Sequence, residues 1–579
     1  MYIVLIMDDK AILITSALPY VNNKLHLGNL IGSGLSADAV ARFYRNMGRK
    51  VLFVGGTDEY GTATEVAARQ AGVSPRELCD MNYKEHVDIC KWFNLSYDCF
   101  GRTSAENPGD PEWAQTEITW DIYKKLVNNG FITFKKELCL YCNEIDSFVS
   151  DRFVTGQCYM CGYENASGDQ CDKCTNLVNA TKLINPVYKL NSNYKLVARE
   201  TETLYLQLPV LEQKLREFIS KSSPNWNKNS RITTETLLNT GLIDRSISRD
   251  LKWGTPVPDT EKFGNQFMKK VFYVWFDAPI GYISITKHAI GEDYTKWWKN
   301  PDNVELIQFM AKDNTQFHSI IFPATLIGTG DPYTLPSKIS SIEYLQYGDK
   351  KFSKSAGVGV FGADAMTLEY PSDYWRYYLL SIRPESQDSK FTWEGFVNSV
   401  NNSLFANFGN LVSRVLTLSF TAYKKLNVAT ITPACDLSEQ HLKCLESINK
   451  HVEQYKIYFT KNKILESIKH SHSVSGILNE YISNNEPWKL FKTDNTKAIC
   501  TECWFMQYTI GIVVSMFSPF VPTICDTVKN MIGLSYSINS ELKLDSEFNL
   551  IKSKPPQLFK LIDPTVVPML KERFGDTNM

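Results

Sequence analysis

Two short motifs constrain this chain more than any other feature. His26-Leu27-Gly28-Asn29 lies near the N-terminus, and Lys351-Phe352-Ser353-Lys354-Ser355 follows more than three hundred residues later. The first motif stands between a β-like run at 11–17 and a helical pattern at 30–45, so it predicts a strand, a turn and a helix N-terminus. Free backbone N–H groups and the helix dipole attract phosphate at such a terminus. Together the motifs predict a split nucleotide-binding α/β fold that acts on ATP.

The residue types within the two motifs suit a triphosphate. Gly28, Gly32 and Gly34 lack the Cβ atoms that would keep phosphates away from the backbone. His26 adds a hydrogen-bond donor for a phosphate oxygen. Lys351 and Lys354 lie on a Ser/Gly-rich segment, which is typical of a loop that carries positive charge to a phosphate. We therefore expect the second motif to close over ATP.

The motifs resemble the HIGH-type and KMSKS-type signatures of class I aminoacyl-tRNA synthetases. Asn29 stands where the last His would be and Phe352 where the Met would be, as in methionyl enzymes of the eukaryotic and archaeal type. Further segments between about Ile12 and Trp488 resemble the methionyl-tRNA synthetase family and are more specific than either signature. These segments are residues 17–20, 57–62, 275–282, 312–313 with His318, and 383–388.

The resemblance implies an ATP-dependent ligase that joins methionine to tRNA. Methionine and ATP would give methionyl-adenylate and pyrophosphate, and methionine would then pass to the terminal adenosine of tRNA(Met), the initiator included. The methionine carboxylate is already ionised at neutral pH, so positioning and charge stabilisation would carry the first step. Two alternatives are another class I synthetase, for cysteine or a branched aliphatic amino acid, and a zinc-containing RNA-binding protein without catalysis. Turnover of ATP without tRNA would distinguish a synthetase from the non-catalytic RNA-binding protein.

The resemblance also implies roles for single residues. The catalytic residues would be His26, Asn29, Lys351 and Lys354; Gly28 and Asp313 would join His26, Asn29 and Lys354 in binding ATP; the methionine pocket would comprise Leu18, Tyr20, Asp58, Trp275, Ala278, Tyr282 and His318. Asp58 would take the α-ammonium, while tyrosine and histidine side chains of the pocket could donate hydrogen bonds to the sulfur. Asp313 has a second interpretation as a structural cap. Without the resemblance, Trp275 and Tyr282 would be expected in the core.

Four cysteines form the strongest local motif. Cys158-x2-Cys161 and Cys171-x2-Cys174 are two knuckles whose thiolates can converge on one zinc ion. The segment from Cys171 to Cys174 resembles the zinc knuckle of the methionyl enzymes. Cys139 and Cys142 fall where a second site would begin, but Tyr188 and Asn191 stand where its other two cysteines would lie. We therefore expect one structural zinc, with Mg²⁺ accompanying ATP.

The strand and helix patterns of the sequence divide the chain into modules. Residues 10–120 form a first βαβ half of a doubly wound, Rossmann-type parallel sheet, and residues 251–370 form the second half with the Lys351 loop. Residues 121–250 are an insertion with the zinc knuckle, and residues 371–400 are a junction. Strands are expected at 12–16, 51–55, 271–276, 304–310 and 339–345, with ligand at their carboxyl ends.

Residues 401–579 show long helical patterns, for example at 452–478, and the resemblance makes them an all-α anticodon-binding bundle with a C-terminal tail. Asn410 and Arg414, one helical turn apart, and Trp488 match the family's anticodon-reading positions. Single-stranded bases are recognised by aromatic stacking and by hydrogen bonds to their edges. A Trp after Pro is otherwise commonly a core residue.

Charge and hydropathy bound the remaining possibilities. The formal net charge of −1 requires tRNA binding to depend on local basic patches. The longest apolar run, at 510–521, is shorter than the roughly 18–20 residues that span a bilayer. No signal segment is apparent at the N-terminus, and fourteen cysteines without one favour reduced thiols or metal. We expect a cytoplasmic monomer that does not bind membranes and leave membership of a multi-synthetase complex open.

Overall fold

The computed structural model describes residues 9–149, 151–168, 171, 173–174, 178–350, 352, 358–534 and 547–575. Within the second motif it describes Phe352, while Lys351 and Lys354 lie outside the described residues. The expectations for these two lysines therefore remain predictions.

A five-stranded parallel sheet organises the catalytic half of the chain. Its strands are β1 (Ala11–Ser16), β2 (Val51–Thr57), β3 (Cys99–Arg102), β4 (Val304–Ala311) and β5 (Pro336–Ile342), in the order β3-β2-β1-β4-β5. All four pairings are parallel, with Ala11 opposite Val304 and Ile12 opposite Val51. The strand order reverses between β1 and β4, so their carboxyl ends open a crevice, as the sequence predicts for a doubly wound sheet.

Hydrophobic residues pack against both faces of the sheet. Successive side chains of each strand point to opposite faces, so neighbouring residues of one strand belong to different cores. Ile12 and Ile14 belong to one hydrophobic core, which continues into the C-terminal helices, and Leu13 between them belongs to a second core. The helices between residues 27 and 381, including two in the insertion (Leu208–Ser222 and Lys228–Thr240), are Leu27–Asn29, Leu35–Asn46, Thr62–Ala71, Pro75–Trp92, Ala114–Asn128, Leu208–Ser222, Lys228–Thr240, Val274–Ile290, Thr295–Trp298, Phe322–Thr329, Gly362–Thr367 and Ser372–Ser381. A π-helical turn at Leu30–Gly34 joins Leu27–Asn29 to Leu35–Asn46, and another at Phe317–Ile321 leads into Phe322–Thr329, both beside the crevice.

One predicted strand is wrong. The expected strand at 271–276 ends at Phe272, where it pairs with Ser248–Arg249, and a helix begins at Val274 and runs to Ile290. Trp275 and Tyr282 therefore lie on a helix. A short apolar run has the same composition in a buried strand and in a buried helix, so its period does not distinguish them.

The insertion contains two small antiparallel sheets. One joins Ile132–Cys142, Ser147–Phe148, Leu196–Leu206 and Arg245–Ser246; the other joins Val154–Gln157, Ala166–Ser167 and Ile184–Tyr188. The first sheet connects the insertion to the catalytic half, and in the second sheet the first cysteine knuckle follows the central strand, Val154–Gln157. Short 3₁₀ turns occur at Asp151–Phe153, Ala180–Lys182 and Ser223–Asn225.

The C-terminal third is almost entirely helical. Its elements are Trp393–Asn398, a π-helix at Ser399–Gly409, Asn410–Leu426, Glu439–Thr460, Ile464–Asn485, Pro487–Leu490, Thr496–Phe517, Pro522–Ile532 and Val567–Phe574. The predicted helical pattern at 452–478 is broken, because a turn at Asn462, with a φ of 55°, separates two antiparallel helices. Short strands pair Leu345–Tyr347 with Ser389–Phe391 and Thr430–Ile431 with Phe548–Asn549.

Among the described helices, Thr496–Phe517 alone has the length and mean hydropathy of a membrane span. Within its apolar window, 94% of the residues are buried inside the fold. Its apolar side chains therefore already pack against the neighbouring helices of the bundle.

Candidate active site

A cavity of about 440 Å³ opens where the sheet order reverses. Its walls come from the segments that follow β1, β2, β4 and β5, together with the helix Val274–Ile290. Every predicted methionine- or ATP-binding residue within the described part of the chain lines this one cavity: Leu18, Tyr20, His26, Gly28, Asn29, Asp58, Trp275, Ala278, Tyr282, Asp313 and His318. Residues far apart in sequence thus converge on a single site.

Asp58 provides a buried carboxyl group in the lining of the cavity. It follows β2 directly, is 4% exposed, and its Oδ1 has no hydrogen-bond partner among the described residues. The Asp58 N–H donates to the carbonyl of Pro19 at 2.9 Å, which ties the ends of β1 and β2 together. Burial, followed by the charges of Asp277 and Glu59, raises the pKa of Asp58 well above its ordinary value. A cation in the cavity would give the unpaired oxygen a partner and would offset the repulsion between Asp58 and the neighbouring carboxylates.

Tyr282 and His318 form a buried pair on the aromatic wall. The His318 Nδ1 lies 2.9 Å from the carbonyl oxygen of Asn314, which can only accept, so Nδ1 carries the proton. The Tyr282 hydroxyl then donates to the His318 Nε2, 2.8 Å away. Burial lowers the pKa of His318 to about 4, which keeps the ring neutral. In this structure the two groups therefore bond to each other, and a hydrogen bond from the pocket to a substrate sulfur stays a prediction.

His26 is the N-cap of the helix that opens the first motif. The Asn29 N–H donates to the His26 Nδ1, and the His26 N–H donates to the Asn29 Oδ1, both at 3.2 Å. Burial lowers the pKa of His26 to about 4, so the ring is neutral and carries its proton on Nε2. The first motif thus presents one ring N–H donor beside the cavity, next to a helix N-terminus that favours negative charge.

The glycines of this region divide into two groups. Gly28 and Gly32 line the cavity, as expected for residues that a phosphate approaches. A Cβ at Gly34 would instead lie 3.2 Å from the side chains of Leu95 and Tyr97. Gly34 therefore allows close packing of its helix and, contrary to expectation, does not face the cavity.

The four cysteines of the knuckle converge. The Cys158 and Cys174 sulfurs are 4.0 Å apart, the Cys161 and Cys171 sulfurs are 3.6 Å apart, and all four lie within 4.8 Å of one another. Zn–S bonds of about 2.3 Å in a tetrahedron place sulfurs about 3.8 Å apart, so the donor set fits one zinc ion. Elsewhere in the insertion the Cys142 thiol donates to Glu144 at 3.3 Å. Among the described residues, Cys139 and Cys142 do not belong to a four-ligand cluster.

A second, open groove of about 490 Å³ lies on the helical bundle. Asn410 and Arg414 line it from one helix, and Asn479 and Ser483 line it from another. Arg414 donates to the Asn479 carbonyl at 3.2 Å and to the Ser483 hydroxyl at 3.1 Å. Trp488 lies outside this lining on the short helix Pro487–Leu490 and is 39% exposed. Its exposure excludes the alternative of a core residue.

Comparisons with known proteins agree with this arrangement. A family model described as class I tRNA synthetases (M) matches residues 12–416, and a model of the anticodon-binding domain of methionyl tRNA ligase matches residues 431–577. The chain belongs to the class I methionyl-tRNA synthetase family. The probable cytoplasmic methionine–tRNA ligase of Dictyostelium discoideum is 44% identical over 91% of this chain and 69% of its own length. The human cytoplasmic methionine–tRNA ligase is 40% identical over 98% of this chain and 62% of its own length.

The chain thus spans roughly two thirds of the length of these relatives. Among solved structures, Mycobacterium tuberculosis methionyl-tRNA synthetase in complex with methionyl-adenylate superimposes with a TM-score of 0.74. It is 22% identical, and the match covers 95% of this chain and 99% of that one. At this identity the likeness establishes the shared fold.

Several residues of this methionyl-tRNA synthetase cavity were missed from sequence. They are Ser33, Asn314, Phe317, Glu343, Tyr344, Leu345, Gln346 and Phe352 as a wall residue. Residues 343–346 follow β5, so the rule that ligands bind at strand carboxyl ends could have found them. Asp313 lies at the exposed rim, and the N-cap of its 3₁₀ turn is Ala311, so the alternative of a structural cap is not supported.

Proposed function

We propose that this chain is a methionine–tRNA ligase, which activates L-methionine with ATP and transfers it to the 3′-terminal adenosine of tRNA(Met). The observation that carries the proposal is Asp58, a buried carboxylate with an unpaired oxygen in a cavity that also has an aromatic wall. An α-ammonium group satisfies the carboxylate, and a thioether packs well against aromatic ring edges. Membership of the methionyl-tRNA synthetase family supports the same substrate.

Methionine would lie with its ammonium at Asp58 and its side chain among the pocket residues Leu18, Tyr20, Trp275, Ala278 and Tyr282. Its ionised carboxylate attacks the α-phosphorus of ATP; a new P–O bond forms, and the bond to the pyrophosphate oxygen breaks. No protein base is needed, because the nucleophile carries no proton at neutral pH. Catalysis then consists of holding the two reactants in line and stabilising charge on the phosphoryl oxygens.

The first motif supplies the donors for those oxygens. His26, Gly28 and Asn29 line the cavity, so the His26 Nε2–H, the Gly28 N–H and the Asn29 side-chain amide would contact the α-phosphate and its neighbours. We propose that Lys351 and Lys354 neutralise the β- and γ-phosphates and that Asp313 contacts the ribose. Mg²⁺ would enter bound to the phosphates of ATP, as is usual for nucleotide substrates.

Transfer to tRNA would depend on the helical bundle. We propose that Asn410 and Arg414 hydrogen-bond anticodon bases in the open groove and that Trp488 stacks on a base. The exposure of Trp488 and the polar lining of the groove support this assignment. We propose module boundaries near residues 120, 250, 370 and 400, a monomeric state, and a cytoplasmic location like that in the names of the relatives.

Pyrophosphate exchange tests the proposal most directly. Purified chain is offered ATP, Mg²⁺ and each of the twenty amino acids in turn, without tRNA. Exchange with methionine alone is the expected result. Exchange with a different amino acid would keep the class of enzyme and reject the pocket assignment, and the absence of exchange with every amino acid would favour an RNA-binding protein without catalysis.

We propose that Cys158, Cys161, Cys171 and Cys174 hold one structural zinc, which would stabilise the insertion. Elemental analysis is expected to find one zinc per chain, and the Cys171→Ser variant is expected to lose it together with several degrees of melting temperature. Cys139→Ser is the matched control and should retain the metal. Loss of zinc in the control, or two ions per chain, would contradict a single site at the knuckle.

A further inference from the structure

The His26 ring is held from four directions. The ring of Phe352 stacks on its face, with centroids 4.9 Å apart and planes 6° from parallel. Phe361 meets it in a T-shaped arrangement at 6.4 Å and 75°. A Cβ at Gly28 would lie 2.9 Å from two ring atoms of His26, so that position has no room for a side chain. The Asn29 N–H donates to Nδ1 and completes the enclosure.

Phe352 is itself held in place by its surroundings. Its ring lies 5.7 Å from the ring of Tyr347 at 57°. Gly359 has a φ of +114°, and a Cβ there would lie 2.5 Å from the Phe352 ring. The Gly359 N–H donates to the carbonyl of Phe574 at 3.2 Å, and the Tyr347 hydroxyl donates to the carbonyl of Gly575 at 3.1 Å. The C-terminal helix thus supports both flanks of the pocket that holds Phe352.

Enclosure of this kind determines where the His26 proton points. With Nδ1 in the N-cap hydrogen bond, the ring has one remaining donor, Nε2–H, and its direction follows the plane of the ring. A flat aromatic side chain stacked on that plane opposes tilting more effectively than the cap alone, since the cap fixes only one atom. Small displacements of a positioned group cost much rate in a reaction that depends on alignment.

We propose that Phe352 is a positioning residue for the adenylation step, which holds the plane of the His26 imidazole so that Nε2–H stays directed at the phosphoryl oxygens. The proposal rests on the proposed function. Phe352 makes no chemical contribution of its own; it acts through His26. The second signature motif therefore contributes an aromatic ring to the first motif, in addition to whatever charge its lysines bring to ATP.

A double-mutant cycle in pyrophosphate exchange tests whether Phe352 acts through His26. We expect Phe352→Ala to lower kcat by about 10- to 100-fold while the KM for methionine changes less than about threefold, because Phe352 stacks on His26 and is not among the proposed methionine-binding residues. In the His26→Ala background the same substitution should change kcat by less than about twofold, since contacting residues couple in such cycles. Phe134→Ala, a matched change on the insertion surface, should leave kcat and KM unaltered.

Equal loss from Phe352→Ala in both backgrounds would overturn the proposal and would mean that Phe352 acts independently of His26. If Phe352→Ala lowers the melting temperature, the effect on kcat is measured instead with Phe352→Leu and Phe352→Met. Met retains contact with the ring through its polarisable sulfur and should remain within about threefold of the parent kcat, with Leu below it. A Leu variant as active as the Met variant would also count against the proposal. Wild-type chain without methionine-dependent exchange would instead reject the proposed function.

Discussion

The cavity of the catalytic half and the open groove of the helical bundle differ in how far their polar groups are buried. In the cavity, Asp58, His26 and His318 are largely withdrawn from water, and burial shifts the pKa of each. In the groove, Asn410 is exposed, and Arg414 bonds to a backbone carbonyl and a hydroxyl on the neighbouring helix. The cavity is therefore specified by buried charge and shape, and the groove by hydrogen-bonding groups held on two helices.

The difference follows from the ligands that the two regions would take. A small amino acid offers few contacts, so each must be made in a site with little water, where electrostatic interactions are strong. Unpaired bases of an RNA loop offer flat faces and polar edges, and these can be recognised at a surface. We therefore expect substitutions in the cavity to affect the chemistry and substitutions in the groove to affect only tRNA-dependent steps.

The largest expected effect is that of Asp58→Asn. Removing the charge leaves the methionine ammonium buried without a counter-ion, and such losses cost about 2–5 kcal/mol, or roughly 30- to 5,000-fold in kcat/KM for methionine. Pyrophosphate exchange measures this loss. Binding of tRNA by the same variant, measured by filter retention, should be unchanged; a parallel loss of tRNA binding would show that the two regions are not independent.

Trp488→Ala should produce the opposite pattern. Stacking of a base on an aromatic ring contributes about 1–3 kcal/mol, so aminoacylation of tRNA(Met) should fall about 10- to 100-fold while pyrophosphate exchange stays near the parent value. Trp488→Phe keeps a stacking surface and should retain most of the aminoacylation. Equal losses in aminoacylation and exchange for Trp488→Ala would indicate a folding role instead.

The smallest effect concerns pH and the carboxylate beneath the cavity. Burial raises the pKa of Asp277 to about 6, although Gln115, Thr119 and Thr255 donate hydrogen bonds to it. Because the folded pKa lies above the unfolded value, the folded chain binds the extra proton, and this contribution to stability is complete below about pH 4 and is lost as the pH rises through 6.

Melting temperatures of the wild type and Asp277→Asn, measured from pH 4.5 to 7.5, check this prediction. The melting temperature of Asp277→Asn should lie below that of the wild type, and this difference should narrow by a few degrees as the pH rises. Only the wild type loses a protonated carboxyl group over this range. Arg414→Ala is the control, and its difference from the wild type should stay constant over the same range. A constant deficit for Asp277→Asn would mean that Asp277 is ionised throughout.

Much of the cavity could be predicted before its shape was known. Asp58 and His26 lie in segments whose residue order resembles a known family, and strand–turn–helix patterning placed them at carboxyl ends of a parallel sheet. The helix at Val274–Ile290 was mistaken for a strand, because local composition does not separate two buried conformations. The break at Asn462 was also missed. The helical sequence pattern continues on both sides of this residue, and nothing in that pattern shows that Asn462 adopts a positive φ.

The sequence by itself determined the family and the two signature motifs, and it predicted four zinc ligands and the residues of a methionine pocket, because these depend on residue types at set spacings along the chain. Only the tertiary structure decided which groups meet. It paired the Tyr282 hydroxyl with His318, left the Asp58 Oδ1 without a partner among the described residues, and stacked Phe352 on His26. Such contacts join residues tens to hundreds of positions apart, and their geometry depends on the packing of whole strands and helices, which no local pattern records.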